Sequence, residues 1–129
     1  MKRIAVYGSL LSGFGNHRLL SNGDAQLLGT DRITIPYGMI SYGGFPALVP
    51  SQVPQDISIE VYECNNETYQ RVEWLEGYPS FYQKAVVSTK FGEVEIYVIE
   101  KETMFENQPD SIKVDDGDWR AFKTSVIYK

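Results

Sequence analysis

Apolar and polar positions along the 129-residue chain alternate mostly in short runs, with one longer stretch at helical spacing. Residues 3–7, RIAVY, read as a short buried strand. The run then breaks into the glycine- and serine-rich stretch YGSLLSGFG, 7–15, and NHRLL at 16–20 reads as a helical turn. Residues 31–42, DRITIPYGMISY, are rich in β-branched and aromatic side chains, but Pro36 and Gly38 interrupt them. Proline cannot donate to a sheet ladder, so an edge or bend is expected there. In DISIEVYEC, 56–64, Ile57, Ile59 and Val61 share one face while Ser58, Glu60 and Tyr62 share the other, the signature of a half-buried strand. Residues 65–79, NNETYQRVEWLEGYP, predict a helix: Asn66 can cap it, Glu67 suits its positive end, and Tyr69, Val72 and Leu75 recur on one stripe. Gly77 fits the left-handed position just past its end and Pro79 blocks continuation. Residues 82–90 and 93–101, separated by Phe91 and Gly92, predict a hairpin. GDWRAF, 117–122, reads as a turn or short helix before a last apolar stretch, SVIY. Short antiparallel strands with few helices give an α+β domain around a curved or barrel-like sheet, spanning residues 1–129 as one unit.

Composition narrows the function classes. A net charge of −5 and a pI near 4.8 argue against a nucleic-acid binder, which normally needs a basic patch. No apolar run approaches the length of a membrane-spanning helix, and the apolar part of MKRIAVYGS is too short for a signal peptide. The single cysteine, Cys64, excludes an internal disulfide framework and fits a reducing compartment, so a cytoplasmic location is expected. One histidine, His17, and one cysteine cannot build a zinc site of the usual kind, and no metal is expected. The acidic run DDGD, 115–118, lacks the spacing and bidentate glutamate of a calcium loop and reads as a solvated turn. Cys64 reads as a small buried apolar residue, and Trp119 as closing one end of the core.

Two stretches carry candidate chemistry. GSLLSGF starts like a phosphate loop, with Gly8 and Gly13 at the right separation, but Phe14 stands where the lysine must be. A dinucleotide fingerprint also fails, because Gly13 and Gly15 are followed by Arg18 and no long helix follows. Ser9 with His17 could form a nucleophile and base, but there is no nucleophile elbow and an orienting acid is still required. Two readings remain: a tight turn that needs glycine, or a nest of successive backbone amides that holds a carboxylate or a developing oxyanion. The second stretch is WLEGYP. Glu76 falls in the last turn of the predicted helix, at the negative end of its dipole. Glu73 would repel it, and Trp74, Leu75, Tyr78, Phe81 and Tyr82 offer apolar surroundings. All three influences raise a carboxyl pKa toward the range a general acid/base needs, whereas a solvated glutamate at a frayed helix end is the plain alternative.

VYGSL near the N-terminus and LEGYPSFY some seventy residues later resemble the γ-glutamylcyclotransferase-like family. The stretch YGSLLSGFGNHRLL looks most like the γ-glutamylamine cyclotransferase branch, and GGFPALV, 43–49, and GDWRAF, 117–122, are similar to further landmarks of the family. The resemblance spans nearly the whole chain. It implies a small mixed β-barrel with short helices and a cavity at one end. It also implies a small-molecule γ-glutamyl substrate, cyclised to 5-oxoproline with release of an amine and without cofactor or metal. On this sequence the implied acid/base is Glu76, the implied substrate loop is Tyr7, Gly8, Ser9 and Leu10, and Tyr82 would line the cavity. Departures touch the substrate more than the chemistry: Ser9 replaces a commoner threonine, Leu11 and Ser12 stand where a basic residue is frequent, and Val72 and Glu73 replace a leucine and an aspartate. The same chemistry on a γ-glutamylated peptide, biosynthetic intermediate or protein side chain stays open, as does a non-catalytic binding module on the same fold. A monomer or homodimer, without nucleic-acid or membrane partners, is expected. His17 is expected to cap or pack, Tyr7 and Tyr82 either to orient substrate or to serve as core aromatics, and Gly13 and Gly15 to cover the cradle.

Overall fold

The structure is a computed structural model and describes residues 1–42, 45–100 and 111–127. Strands β1 (Lys2–Val6), β2 (Gln26–Tyr42), β3 (Phe45–Cys64), β4 (Gln83–Thr89), β5 (Gly92–Val98) and β6 (Ser111–Lys113) join in the order β4-β5-β1-β3-β2-β6. β1 runs parallel to β5 and every other pair is antiparallel. This mixed sheet curls into a half-barrel, with three short helices, α1 (Arg18–Ser21), α2 (Asn66–Leu75) and α3 (Trp119–Ile127). The expected α+β class and barrel-like sheet are therefore present.

The core explains the curl. Ile4, Ile57, Val61, Val72 and Ile96 are fully buried, drawing β1, β3, β5 and α2 onto one apolar interior. The expectation of a half-buried strand at 56–64 needs correction. Ile57, Ile59 and Val61 face the core as expected, but Glu60 and Tyr62 on the other face are buried as well. Ser12 of the loop after β1, Tyr62 of β3 itself and Arg120 of α3 are the partners that Glu60 finds there.

The long arms of β2 and β3 exceed the expected strands. Their register is interrupted at Pro36, where the partner jumps from Gln55, opposite Ile35, to Pro50, opposite Tyr37. The bend read from Pro36 is thus real, yet the chain pairs on both sides of it. β4 and β5 form the expected hairpin, closing between Thr89 and Gly92, with Gly92 at φ +90°. The helix at 66–75 is present, but Asn65 rather than Asn66 caps it, its side chain accepting from the Thr68 amide at 2.9 Å. Gly77 is left-handed at φ +65°, as expected. Trp119 is buried and stacks on Phe122 with ring centroids 5.4 Å apart, and Cys64 is fully buried. The DDGD turn starts α3, because the Asp118 carboxylate accepts from the Ala121 amide at 3.0 Å. Gly43, Gly44, Lys101 and Tyr128, which belong to expected segments, lie outside the described residues.

Candidate active site

A cavity of about 230 Å³ lies where β1 ends. It brings together every residue singled out for the site: Tyr7, Gly8, Ser9, Leu10, Glu76 and Tyr82. Its floor is buried, with Tyr7 at 6%, Leu10 at 3% and Tyr82 at 8% exposure. Phe45, Leu75 and Phe81 are half-buried around it, and the Phe45 and Phe81 rings sit 5.8 Å apart.

Glu76 is the C-cap residue of α2, with Gly77 immediately turning the chain away. Burial raises its carboxyl to about 7. Its charge raises the phenols of Tyr7, Tyr82 and Tyr97 in turn, behind the larger effect of their own burial, which places the carboxyl among them. Among the described residues the carboxyl has no hydrogen-bond partner. The expected repulsion from Glu73 does not act, since Glu73 pairs with Lys84 Nζ at 3.1 Å. Trp74 contributes no apolar cover either, being 84% exposed, and Tyr78 turns outward beneath the Lys84 ammonium, which lies 4.1 Å from its ring centroid. Leu75, Phe81 and Tyr82 supply the apolar walls.

The loop across the cavity is a set of donors. Leu11 N–H donates to the Gly8 carbonyl at 2.9 Å, Asn16 N–H to the Ser9 carbonyl at 3.1 Å, and the His17 ring nitrogen Nδ1 lies 2.9 Å from the Leu10 carbonyl. A carbonyl only accepts, so Nδ1 carries the proton in that pair. The carbonyls of residues 8–10 are thereby engaged, while the amides of Gly8, Ser9 and Leu10 have no acceptor among the described residues. Gly8 is needed for close approach, because a side-chain carbon there would collide with the Pro46 ring. Ser9 Oγ accepts from Asn16 Nδ2 at 2.9 Å and His17 points its Nδ1 at Leu10, so no serine–histidine pair exists. His17 thus packs and ties the loop, as the sequence suggested. Gly13 and Gly15 do not line the cavity.

Tyr7 and Tyr82 use their hydroxyls structurally. Tyr7 donates to the Tyr97 carbonyl at 2.7 Å and Tyr82 to the Pro46 carbonyl at 2.6 Å. Burial holds both phenols protonated. Tyr97 was missed by the sequence reading. It is 3% exposed, lines the cavity, and its hydroxyl has no partner among the described residues. A buried hydroxyl without a partner is costly, and such groups gather where a ligand completes the bonding. The available signal was its place on the polar face of 93–101 with Glu93 and Glu95, an aromatic ring among carboxylates. Pro46, whose ring and carbonyl shape the site, lies in the GGFPALV landmark but was given no role there.

Among the described residues no group of three or more His, Cys, Asp or Glu side chains could hold a metal ion. No helix among them is long and apolar enough to cross a membrane. Chemically, the arrangement offers a carboxyl that exchanges protons near neutrality, in one cavity with unclaimed amides and five aromatic side chains.

Comparison with known proteins points the same way. The family profile described as gamma-glutamyl cyclotransferase, AIG2-like, matches residues 4–121. A Methanocaldococcus jannaschii protein provisionally named a gamma-glutamylcyclotransferase is 31% identical over 127 residues, covering 95% of this chain and 99% of that one. Gamma-glutamylaminecyclotransferase B of Danio rerio is 29% identical over 122 residues, covering 85% of this chain and 63% of its own length. A solved structure from Pyrococcus horikoshii, described as an uncharacterized protein, superposes with a TM-score of 0.77 at 27% identity, over 99% of this chain and 98% of that one.

Proposed function

The chain belongs to the gamma-glutamyl cyclotransferase, AIG2-like family, and from that premise we propose that it cyclises γ-glutamylamines to 5-oxoproline, with Glu76 as general acid/base. The observation that carries this reading is the Glu76 carboxyl, raised by burial to about 7, in the same cavity as the unclaimed amides of Gly8, Ser9 and Leu10.

The reaction needs little from the protein because the nucleophile is part of the substrate. The α-amino nitrogen attacks the γ-carbonyl carbon, a five-membered ring closes, and the C–N bond to the leaving amine breaks. Holding the glutamyl unit in a folded conformation turns this into an intramolecular step of high effective molarity. The Glu76 carboxylate takes the proton that the attacking nitrogen must lose, then returns it to the leaving nitrogen, so the carboxylate is regenerated. The amides of Gly8, Ser9 and Leu10 hold a glutamyl oxygen. The Tyr97 hydroxyl adds a donor at the cavity wall. Burial keeps it protonated. Phe45, Phe81 and Leu75 border the space left for the amine.

The amine side of the substrate rests on two supports: the YGSLLSGFGNHRLL stretch and the name carried by the zebrafish relative. A reducing, cytoplasmic setting is supported by the single, buried cysteine. The test is a panel of γ-glutamylamines, γ-glutamyl amino acids and γ-glutamyl peptides, followed by 5-oxoproline release. Release from the amines with the highest kcat/KM is expected. Preference for another carrier would correct the substrate, and 5-oxoproline binding without turnover of any member would make the protein a binding module.

A further inference from the structure

We propose that Glu60 is the positioning residue of the amide cradle, with Arg120 closing the clamp from α3. The kinetic part of this proposal rests on the reading of residues 8–10 as the substrate cradle. The structural part does not.

Glu60 stands on β3 opposite Val6, the residue at which β1 leaves the sheet and the cradle begins. It is 4% exposed, and it does not line the cavity beside Glu76. A carboxylate so enclosed persists only where donors surround it. Four do. Ser12 N–H and the Tyr62 hydroxyl reach one oxygen, each at 2.9 Å, and Ser12 Oγ–H and Arg120 Nη2 reach the other at 2.8 and 3.3 Å. Burial pushes this carboxyl up, but the bonds from Ser12, Tyr62 and Arg120 outweigh it and hold it below the ordinary range. Glu60 is therefore ionised throughout the neutral range.

The clamp holds Ser12 through the two peptide units that flank it. Ser12 gives its amide to Glu60, and its carbonyl accepts from Arg120. Ser12 lies two residues beyond Leu10, so the cradle is strung between the β1 ladder at Val6 and this anchored residue. A second route runs from the same carboxylate through Tyr62, whose ring lies 5.8 Å from that of His17, the residue that holds the Leu10 carbonyl. Gly13 and Gly15 beyond Ser12 have open space around them, while Leu10, Leu11 and Phe14 pack on the core. The anchor at Ser12 adds polar restraint to that apolar packing. Donors aimed at a developing charge act only if they are held in place beforehand, and small displacements cost much of their effect.

The test pairs kinetics with amide hydrogen exchange in the full-length protein. Glu60→Gln keeps the size of the side chain but replaces one acceptor oxygen by an NH₂ facing Ser12 or Arg120. Well below the unfolding temperature, its kcat/KM for a γ-glutamyl substrate is expected to fall about 10- to 100-fold. The acid limb set by Glu76 near pH 7 should stay in place, and the amides of residues 8–12 should exchange about tenfold faster. Ser12→Ala, at an exposed position, should shift the same readings in the same direction by a smaller factor. Values of kcat/KM within about twofold of the parent, with unchanged exchange, would overturn the proposal. Should Glu60→Gln fail to fold, Ser12→Ala and Arg120→Gln decide by the same readings. Should the parent release no 5-oxoproline, the catalytic reading fails on its own, and exchange of residues 8–12 in the variants still decides whether Glu60 holds the loop.

Discussion

A glutamate at the C-terminus of a helix already faces the negative end of the dipole, but the shift of Glu76 is caused by burial. Gly77 makes that burial possible by turning the chain back at φ +65°, so that Phe81 and Tyr82 wall the same cavity. Tyr97 tells the complementary story. Its hydroxyl has no hydrogen-bond partner among the described residues, so removing it should not harm the fold. Tyr97→Phe is expected to unfold at an unchanged or higher temperature while losing about tenfold in kcat/KM, as scanning calorimetry beside steady-state kinetics will read. A variant with parental kinetics would remove Tyr97 from the site. Glu76 was legible in the sequence because glycine and proline mark where its helix stops. Tyr97 was not, because strand alternation places it on a polar face. Its burial, and the charges of Tyr69 and Glu73 on α2 that add to it, come from elements far along the chain.

At the scale of elements, α2 matters because it carries Glu76, and it is fastened at both ends. At its start Asn65 caps the Thr68 amide at 2.9 Å, and the Asp24 carboxylate accepts from the Asn65 amide at 3.0 Å. Toward its end Lys84 of β4 binds Tyr69 and Glu73 of the helix and pairs with Glu95 of β5 at 3.5 Å. Asn65→Ala should therefore lower unfolding free energy by about 1 kcal/mol, seen as a lower urea midpoint with an unchanged slope. No change would mean that Asp24 alone sustains the helix start. The helix was readable from its stripe of Tyr69, Val72 and Leu75, though its cap was placed one residue late. The long β2–β3 arms were not readable. Pro36, Pro46, Pro50 and Pro54 look like breaks when each is judged alone. In the fold the register shift at Pro36 absorbs the irregularity, and pairing resumes at Tyr37 and Pro50.

At the scale of the whole molecule, β1 between β5 and β3 is what assembles the site. It delivers residues 7–10 beside Pro46 from β3, Tyr97 from β5, and the 75–82 segment that follows α2. The same arrangement gives stability a definite pH dependence. Glu76 has a folded pKa of about 7 against an ordinary value of 4.5, so the folded state holds its proton longer. Stability from this group is complete below about pH 4.5 and declines until about pH 7, by up to about 3 kcal/mol. Glu60 acts in the opposite sense: its carboxyl is depressed, so its contribution is present above the ordinary carboxylate range and lost as pH falls through it. Urea midpoints should peak near pH 5, and Glu76→Gln should remove the decline between pH 5 and 7. A decline that persists in the variant would assign it to another group. The same substitution carries the decisive kinetic experiment: 5-oxoproline release from a γ-glutamyl substrate by the parent and by Glu76→Gln, followed from pH 5 to 9. The parent should show an acid limb near pH 7, and the variant should lose that limb together with about 10²-fold or more of kcat/KM. A folded Glu76→Gln protein that releases 5-oxoproline at the parental rate would contradict the role given to Glu76 and, with it, the mechanism built on this cavity.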